Sequence, residues 1–216
     1  MSFKAVIFDL DGTLLDTLDD LADSANRVLA TYRLPVHPVD AYRYFVGDGL
    51  QTLVERILPE AKRTPEVISR MVLDFKEDYS QNWNVKSRMY DGIDLMLNGL
   101  QKAGLMLSVL SNKPHEFTCV CVQQMLPTWT FDALLGARPD VPKKPDPAGA
   151  VEIAARLQLE PAEILYLGDT ATDMKTAIGA GMYPVGALWG FRTAEELTES
   201  GAAKLISRPQ QFLNLI

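Results

Sequence analysis

The stretch that decides the fold is AVIFDLDGTLLDT, residues 5–17. An apolar run, Ala5 to Phe8, ends at Asp9, and Asp11, Gly12 and Thr13 follow. A short apolar run bounded by turn residues reads as a fully buried strand. Residues two apart on extended backbone point to the same side, so Asp9 and Asp11 converge just past the strand's carboxyl end. Open α/β sheets bind their ligands there. Gly12 lets the chain turn away without a Cβ in the site. A solubilising acidic turn does not require two acids aimed at one point, so the pair reads as a chemical site.

Outward from this strand, short apolar runs recur at Leu105–Leu110, Ala133–Leu135, Ile164–Leu167, Tyr183–Leu188 and Lys204–Ile206. Helical patterns separate them. With Val6–Phe8 they predict an α/β fold whose parallel sheet is covered by helices on both faces. Two helix starts are marked by an N-cap residue before a first-turn proline, Thr64-Pro65 and Asp146-Pro147.

Residues 17–87 break the alternation. Leu18, Leu21, Ala25, Leu29 and Tyr32 recur at helical spacing, as do Val67, Ile68, Met71, Val72, Phe75 and Tyr79. No strand is expected there. The block reads as roughly four helices, far longer than a βα connection of about 4–6 residues. The expected organisation is a core of residues 1–16 and 88–216 with a helical domain, 17–87, inserted after the first strand.

The chain has 216 residues, 47% of them hydrophobic, and a formal net charge of −7. That suffices for a substantial core. The acidic balance and the lack of a Lys/Arg-rich block exclude a nucleic-acid surface. No apolar stretch approaches the ~20 residues of a membrane span. The N-terminus has no signal-peptide layout. Cys119 and Cys121 match no zinc pattern and read as two free thiols on a helix. A soluble cytoplasmic protein is expected.

Three further clusters carry chemistry. In LSVLSNKPHE, residues 107–116, a strand ends in Ser111, Asn112 and Lys113. A hydroxyl there can bond a phosphoryl oxygen, and the following helix N-terminus favours an anion. Capping by Ser111 or Asn112 is the plainer alternative. In KKPDP, residues 143–147, a lysine beside prolines is a point charge on a stiff loop, or simply a solvated one. In YLGDTATDM, residues 166–174, another apolar strand ends in glycine and acid. A helix from Thr170 onward would carry Asp169 and Asp173 on one face of its first turn. Together, a parallel sheet would crowd Asp9, Asp11, Asp169 and Asp173 into one pocket, where a cation is needed. Oxygen-only ligation suits Mg²⁺. Mg²⁺ beside a carboxylate, a serine and a lysine suits phosphoryl transfer.

These four stretches, in this order, resemble the haloacid dehalogenase superfamily of phosphohydrolases. FDLDGTLLDT is similar to its first motif, LSNK to its second, KPDP to its third and GDTATD to its fourth. Asn112-Lys113-Pro114 and Trp189-Gly190-Phe191 resemble its phosphoglycolate phosphatase group, with Ser111 where that group often has threonine. The resemblance implies a Rossmann-like, three-layer core with an inserted helical cap. It implies that Asp9 is the nucleophile, that Asp11 is the acid and then the base, and that Ser111 and Lys144 are catalytic and hold phosphoryl oxygens. Mg²⁺ would be held by Asp9, the main-chain carbonyl of Asp11 and Asp169, with Asp173 ordering metal waters or Lys144. Asn112 joins Ser111 and Lys144 in the expected substrate site, and Lys143 falls outside it.

The implied activity is Mg²⁺-dependent hydrolysis of a small phosphorylated metabolite, 2-phosphoglycolate foremost, by a monomer or homodimer. A β-phosphoglucomutase-like sugar phosphomutase is the alternative. Asp11 speaks against a dehalogenase, which has no use for it, and against a receiver-like domain, which lacks both that acid and the insert. By analogy with related caps, Arg43 and the VGDGL loop, residues 46–50, face the substrate. That loop lacks the P-loop lysine. His115 reads as structural.

Overall fold

Ala5, Val6, Ile7 and Phe8 are all fully buried, as the run of apolar residues demands. They form β1 (Ala5–Phe8) in the computed structural model, which describes residues 3–216. Next come β2 (Leu15–Asp16), α1 (Leu18–Thr31), α2 (Tyr42–Phe45), α3 (Leu50–Ile57), α4 (Pro65–Asn82) and β3 (Arg88–Met89). The chain then alternates through α5 (Ile93–Lys102), β4 (Met106–Pro114), α6 (His115–Met125), β5 (Ala133–Ala137) and α7 (Ala148–Leu157). It closes with β6 (Ile164–Gly168), α8 (Ala171–Gly179), β7 (Tyr183–Ala187), α9 (Ala194–Glu199) and β8 (Lys204–Ile206).

The chain separates into two units, one comprising residues up to Leu15 with Met89–Ile216, the other Asp16–Arg88. The first holds a 6-stranded sheet in the order β5-β4-β1-β6-β7-β8. Every pairing is parallel, as expected, and the fold is the Rossmann-like α/β class. β1 lies at the centre, with Phe8 opposite Val109 on one side and Leu167 on the other. The chain builds outward from β1 through β4 and β5, then returns to lay β6, β7 and β8 on the opposite side. The order therefore reverses between β1 and β6, and the crevice at such a switch point is where a ligand belongs. Alternation along β1 serves both faces. Ala5 and Ile7 pack in a cluster with Ile153 and Ala154 of α7 and Ala177 of α8. The Phe8 ring meets Phe212, at 6.3 Å between centroids.

The second unit is helical. α1 buries Leu18, Leu21, Ala25 and Leu29, and α4 buries Ile68, Met71, Phe75 and Tyr79, largely along the stripes read from the sequence. Arg27 of α1 clasps Asp78 of α4, with Nε 2.9 Å from Oδ2 and Nη2 2.6 Å from Oδ1. Buried Asp20 accepts the backbone amides of Lys86 and Ser87, its Oδ2 at 2.9 and 2.7 Å, and so ties down the end of the segment. β2 and β3 pair with each other where the chain passes between the units. No helix among the described residues is long and apolar enough to cross a membrane.

Element ends differ from expectation where side chains compete with the backbone. Thr64 caps α4 as expected, accepting Val67 N at 3.4 Å. α7 starts one residue later than Asp146-Pro147 suggests. Asp146 Oδ1 takes the Ala148 amide at 2.9 Å, and Pro147 stands just outside the helix. β4 runs on past Leu110 to Pro114, because Pro114 still pairs with Ala137 after a shift of register.

Gly136 sits where β5 meets the start of α6. A Cβ there would fall 2.5 Å from His115 Cα and 2.6 Å from Lys113 O, both backbone atoms. Gly136→Ala is expected to destabilise the protein by about 1–3 kcal/mol in urea unfolding. A loss below about 0.5 kcal/mol would show that this approach is not tight.

Candidate active site

Three strands deliver the site. β1 leads to Asp9, β6 leads to Asp169, and β4 carries Ser111, Asn112 and Lys113 in its last residues. Asp9 N–H donates to Leu167 O at 2.9 Å, which extends the β1–β6 ladder and fixes the crevice. One carboxylate oxygen from each of Asp9, Asp169 and Asp173 lies within 4.8 Å of the others, and all three residues are buried.

Lys144 neutralises part of this charge. Its ammonium is 2.9 Å from Asp9 Oδ1 and 2.6 Å from Asp173 Oδ1. Burial works to strip its proton, but Asp173 and Asp9 outweigh burial and hold the ammonium well above its ordinary range. Asp9 is pushed well above the usual carboxylate range by burial and then by Asp173, against the pull of Lys144. Both Asp9 contacts, Lys144 Nζ and the Leu10 amide at 2.7 Å, fall on Oδ1. Tyr166 lies beneath, its hydroxyl 3.5 Å from Asp173 Oδ1.

Asp169 is held by different groups. Thr13 Oγ1 donates to its Oδ1 at 2.8 Å, and Phe191 N–H donates to its Oδ2 at 2.8 Å. Burial, then Asp173, pushes its carboxyl up to about 7. Two glycines make room for it. A Cβ on Gly12, at φ +87°, would stand 2.3 Å from Asp169 Oδ2, and one on Gly190 would stand 2.3 Å from Asp169 Cβ. Trp189 Nε1 donates to Thr13 O at 2.9 Å and closes the ring of supports. The sequence reading put Asp169 in the first turn of a helix. Instead Thr170 is the N-cap of α8, Asp173 completes its capping box, and Asp169 precedes the helix. The two acids still meet.

The Asp11 carboxylate does not join this trio, contrary to the crowding expected of all four acids. Lys113 Nζ holds it from 2.9 Å at Oδ1 and 3.2 Å at Oδ2, with the side chains only 5% and 14% exposed. The two acids of the first motif therefore have separate lysines. The sequence pattern gives Lys113 no role, although the cation stands in the last residues of β4. Ser111 is buried, and its Oγ accepts the Lys113 amide at 3.2 Å. Asn112 spans to the Lys144 loop, giving Nδ2 to Lys144 O at 3.0 Å and taking Lys144 N–H on Oδ1 at 2.9 Å. Its amide thus fixes where Lys144 stands, a part the sequence did not disclose.

Lys144 is buried and Lys143 exposed. Arg43 lies on α2 in the helical unit, its Nε 3.6 Å from Asp40 Oδ1. The VGDGL loop follows α2 and no strand. His115 Nδ1 accepts the Gly136 amide at 3.2 Å, a structural bond. Cys119 and Cys121 are free thiols on α6, and burial pushes Cys121 up to about 11.

The trio fits a hard divalent cation. All its donors are carboxylate oxygens, three acids face one ammonium, and such a set suits Mg²⁺, Ca²⁺ or Mn²⁺ over softer metals. Chemically the site offers a cluster of buried carboxylates, a further carboxylate kept apart, fixed cations and a hydroxyl.

The profile of the haloacid dehalogenase-like hydrolase family matches residues 6–187, and the chain belongs to that family. A phosphoglycolate phosphatase from Psychrobacter arcticus is 32% identical over 92% of this chain and 89% of that protein. A solved structure from Lactobacillus delbrueckii subsp. bulgaricus superposes with a TM-score of 0.94 at 28% identity, covering 100% of this chain and 99% of that one. A predicted phosphoglycolate phosphatase from Haemophilus somnus superposes with a TM-score of 0.92 at 27% identity, over 100% and 98% of the two chains.

A carboxyl that ionises near 3.8 when unfolded and near 7 when folded binds its proton more tightly in the fold. Its contribution to stability is present in acid and is lost as the pH rises through about 7. In EDTA, wild type is expected to lose melting temperature between pH 5 and 7.5 relative to Asp169→Asn. Added Mg²⁺ at pH 7.5 should restore wild type more than the variant. Parallel pH profiles and equal Mg²⁺ responses would contradict this reading of Asp169.

Proposed function

We propose that the protein is a Mg²⁺-dependent phosphatase acting on a small phosphorylated metabolite, with 2-phosphoglycolate as substrate, through an aspartyl-phosphate. The observation that carries this is the separation of the two acids of the first motif. Asp9 stands in the carboxylate–Lys144 cluster, whereas Asp11 is bound by Lys113. Paired carboxylates in different environments take different roles. The names of the curated relatives support the substrate.

Asp9 attacks phosphorus through Oδ2, the oxygen that neither Lys144 nor Leu10 engages. The ester bond breaks, and the leaving oxygen takes a proton from the Asp11 carboxyl. Asp11 then accepts a proton from water as that water attacks the phosphorus of the acyl phosphate, which restores the Asp9 carboxylate and releases phosphate. Ser111 and Lys144 hold the phosphoryl oxygens, and Asn112 and Asp173 position Lys144. Asp9, the Asp11 carbonyl and Asp169 would hold Mg²⁺, which neutralises charge on carboxylate and phosphoryl oxygens. The helical insert, residues 17–87, serves as a cap that sets specificity, with Arg43 as its contact to substrate.

Asp9→Asn keeps the volume and removes both the nucleophile and a metal ligand. Turnover of p-nitrophenyl phosphate and 2-phosphoglycolate with Mg²⁺ is expected to vanish while the circular dichroism spectrum is kept. Substantial residual turnover by the folded variant would refute the role of Asp9.

A further inference from the structure

We infer that Lys113 is the core's receptor for a second anionic group on the substrate, so that the site selects phosphate esters of small α-hydroxy carboxylic acids. This inference rests on the phosphatase reading above and deepens it.

The site holds two buried lysines with different partners, Lys113 at the end of β4 and Lys144 in the loop between β5 and α7. Lys144 contacts Asp9 and Asp173. It serves the phosphoryl side. Lys113 contacts both oxygens of Asp11. The group that protonates the leaving oxygen must lie on the leaving-group side, so the ammonium bound to it lies there too. A leaving oxygen within about 2.6–3.2 Å of Asp11 puts its own substituents in reach of Lys113. In the phosphate of an α-hydroxy acid, the carboxylate sits on the carbon that bears this oxygen.

Orientation of Asp11 alone does not account for a lysine. A neutral donor would orient one carboxylate at a smaller desolvation cost than a buried ammonium. An ammonium has three N–H donors on a flexible stem and can bridge two anions. The Phe117 ring lies 5.4 Å from Lys113 Nζ and favours a cation there. The Lys113 backbone amide is bonded to Ser111 Oγ at 3.2 Å, so the residue that carries the proposed receptor is anchored beside the phosphoryl site.

The test compares 2-phosphoglycolate with 2-hydroxyethyl phosphate, whose hydroxymethyl group replaces the carboxylate. Wild type with Mg²⁺ should prefer 2-phosphoglycolate by at least tenfold in kcat/KM. Lys113→Met should slow both esters, because Asp11 loses its partner. The acid ester should lose about tenfold to a hundredfold more, mainly in KM. Lys113→Arg, which keeps the charge, should retain much of the preference. Equal losses for the two esters in Lys113→Met would overturn the inference and leave Lys113 as a support for Asp11 alone. If that variant does not fold, wild type still decides: equal kcat/KM for the two esters overturns the inference without any variant. Wild type inactive on both esters and on p-nitrophenyl phosphate would overturn the phosphatase reading itself, and the inference with it.

Discussion

Three buried carboxylates facing one ammonium are the constraint on which the site depends. Asp9, Asp169 and Asp173 gather at the point where the strand order reverses, and Lys144 meets only two of them. Buried ion pairs gain little on balance, and an uncompensated buried charge is costly. The surrounding structure holds the imbalance in place. Asn112 fixes the Lys144 loop, Thr13 and the Phe191 amide grip Asp169, and the Asp173 side chain is locked into the capping box of α8. Each support comes from a different segment, so the cluster depends on residues far apart in the sequence. Three carboxylates against one ammonium leave negative charge in excess, which a divalent cation would offset.

The first motif shows how one short segment yields two chemistries. Gly12 turns the chain, Asp9 enters the cluster and Asp11 leaves it for Lys113. The spacing of two residues brings both acids to the same edge, but their partners come from different segments. Lys144 arrives from the loop before α7, which leads into β6, and Lys113 from β4. Two lysines from separate segments therefore give two identical side chains different surroundings.

The sheet was legible because its strands are buried on both faces and read as unbroken apolar runs. AVIF, ILYL and LSVL needed no partner to be recognised. The helical segment was legible for the opposite reason, its apolar residues recurring at helical spacing from Leu18 and from Val67. Long-range partners were not legible. Nothing in Asp20 announces the amides of Lys86 and Ser87, and nothing in Lys113 announces Asp11, because each pair closes a loop of many residues. Nor does anything in Asn112 announce that its amide bonds the Lys144 backbone on both sides. A local preference moved Asp169 out of the first turn, since its neighbour Thr170 takes the N-cap. Residue types predicted which groups reach the site; only the fold shows which of them bind one another.

The central claim is that Asp9 carries the phosphoryl group between substrate and water. Rapid acid quench of the enzyme with Mg²⁺ and radiolabelled substrate tests it directly, followed by peptide mapping of the trapped label. The account predicts an acid-stable, hydroxylamine-labile phosphate on Asp9 in the peptide that begins at Ala5. Label on a serine, histidine or cysteine, or on Asp11, would contradict it.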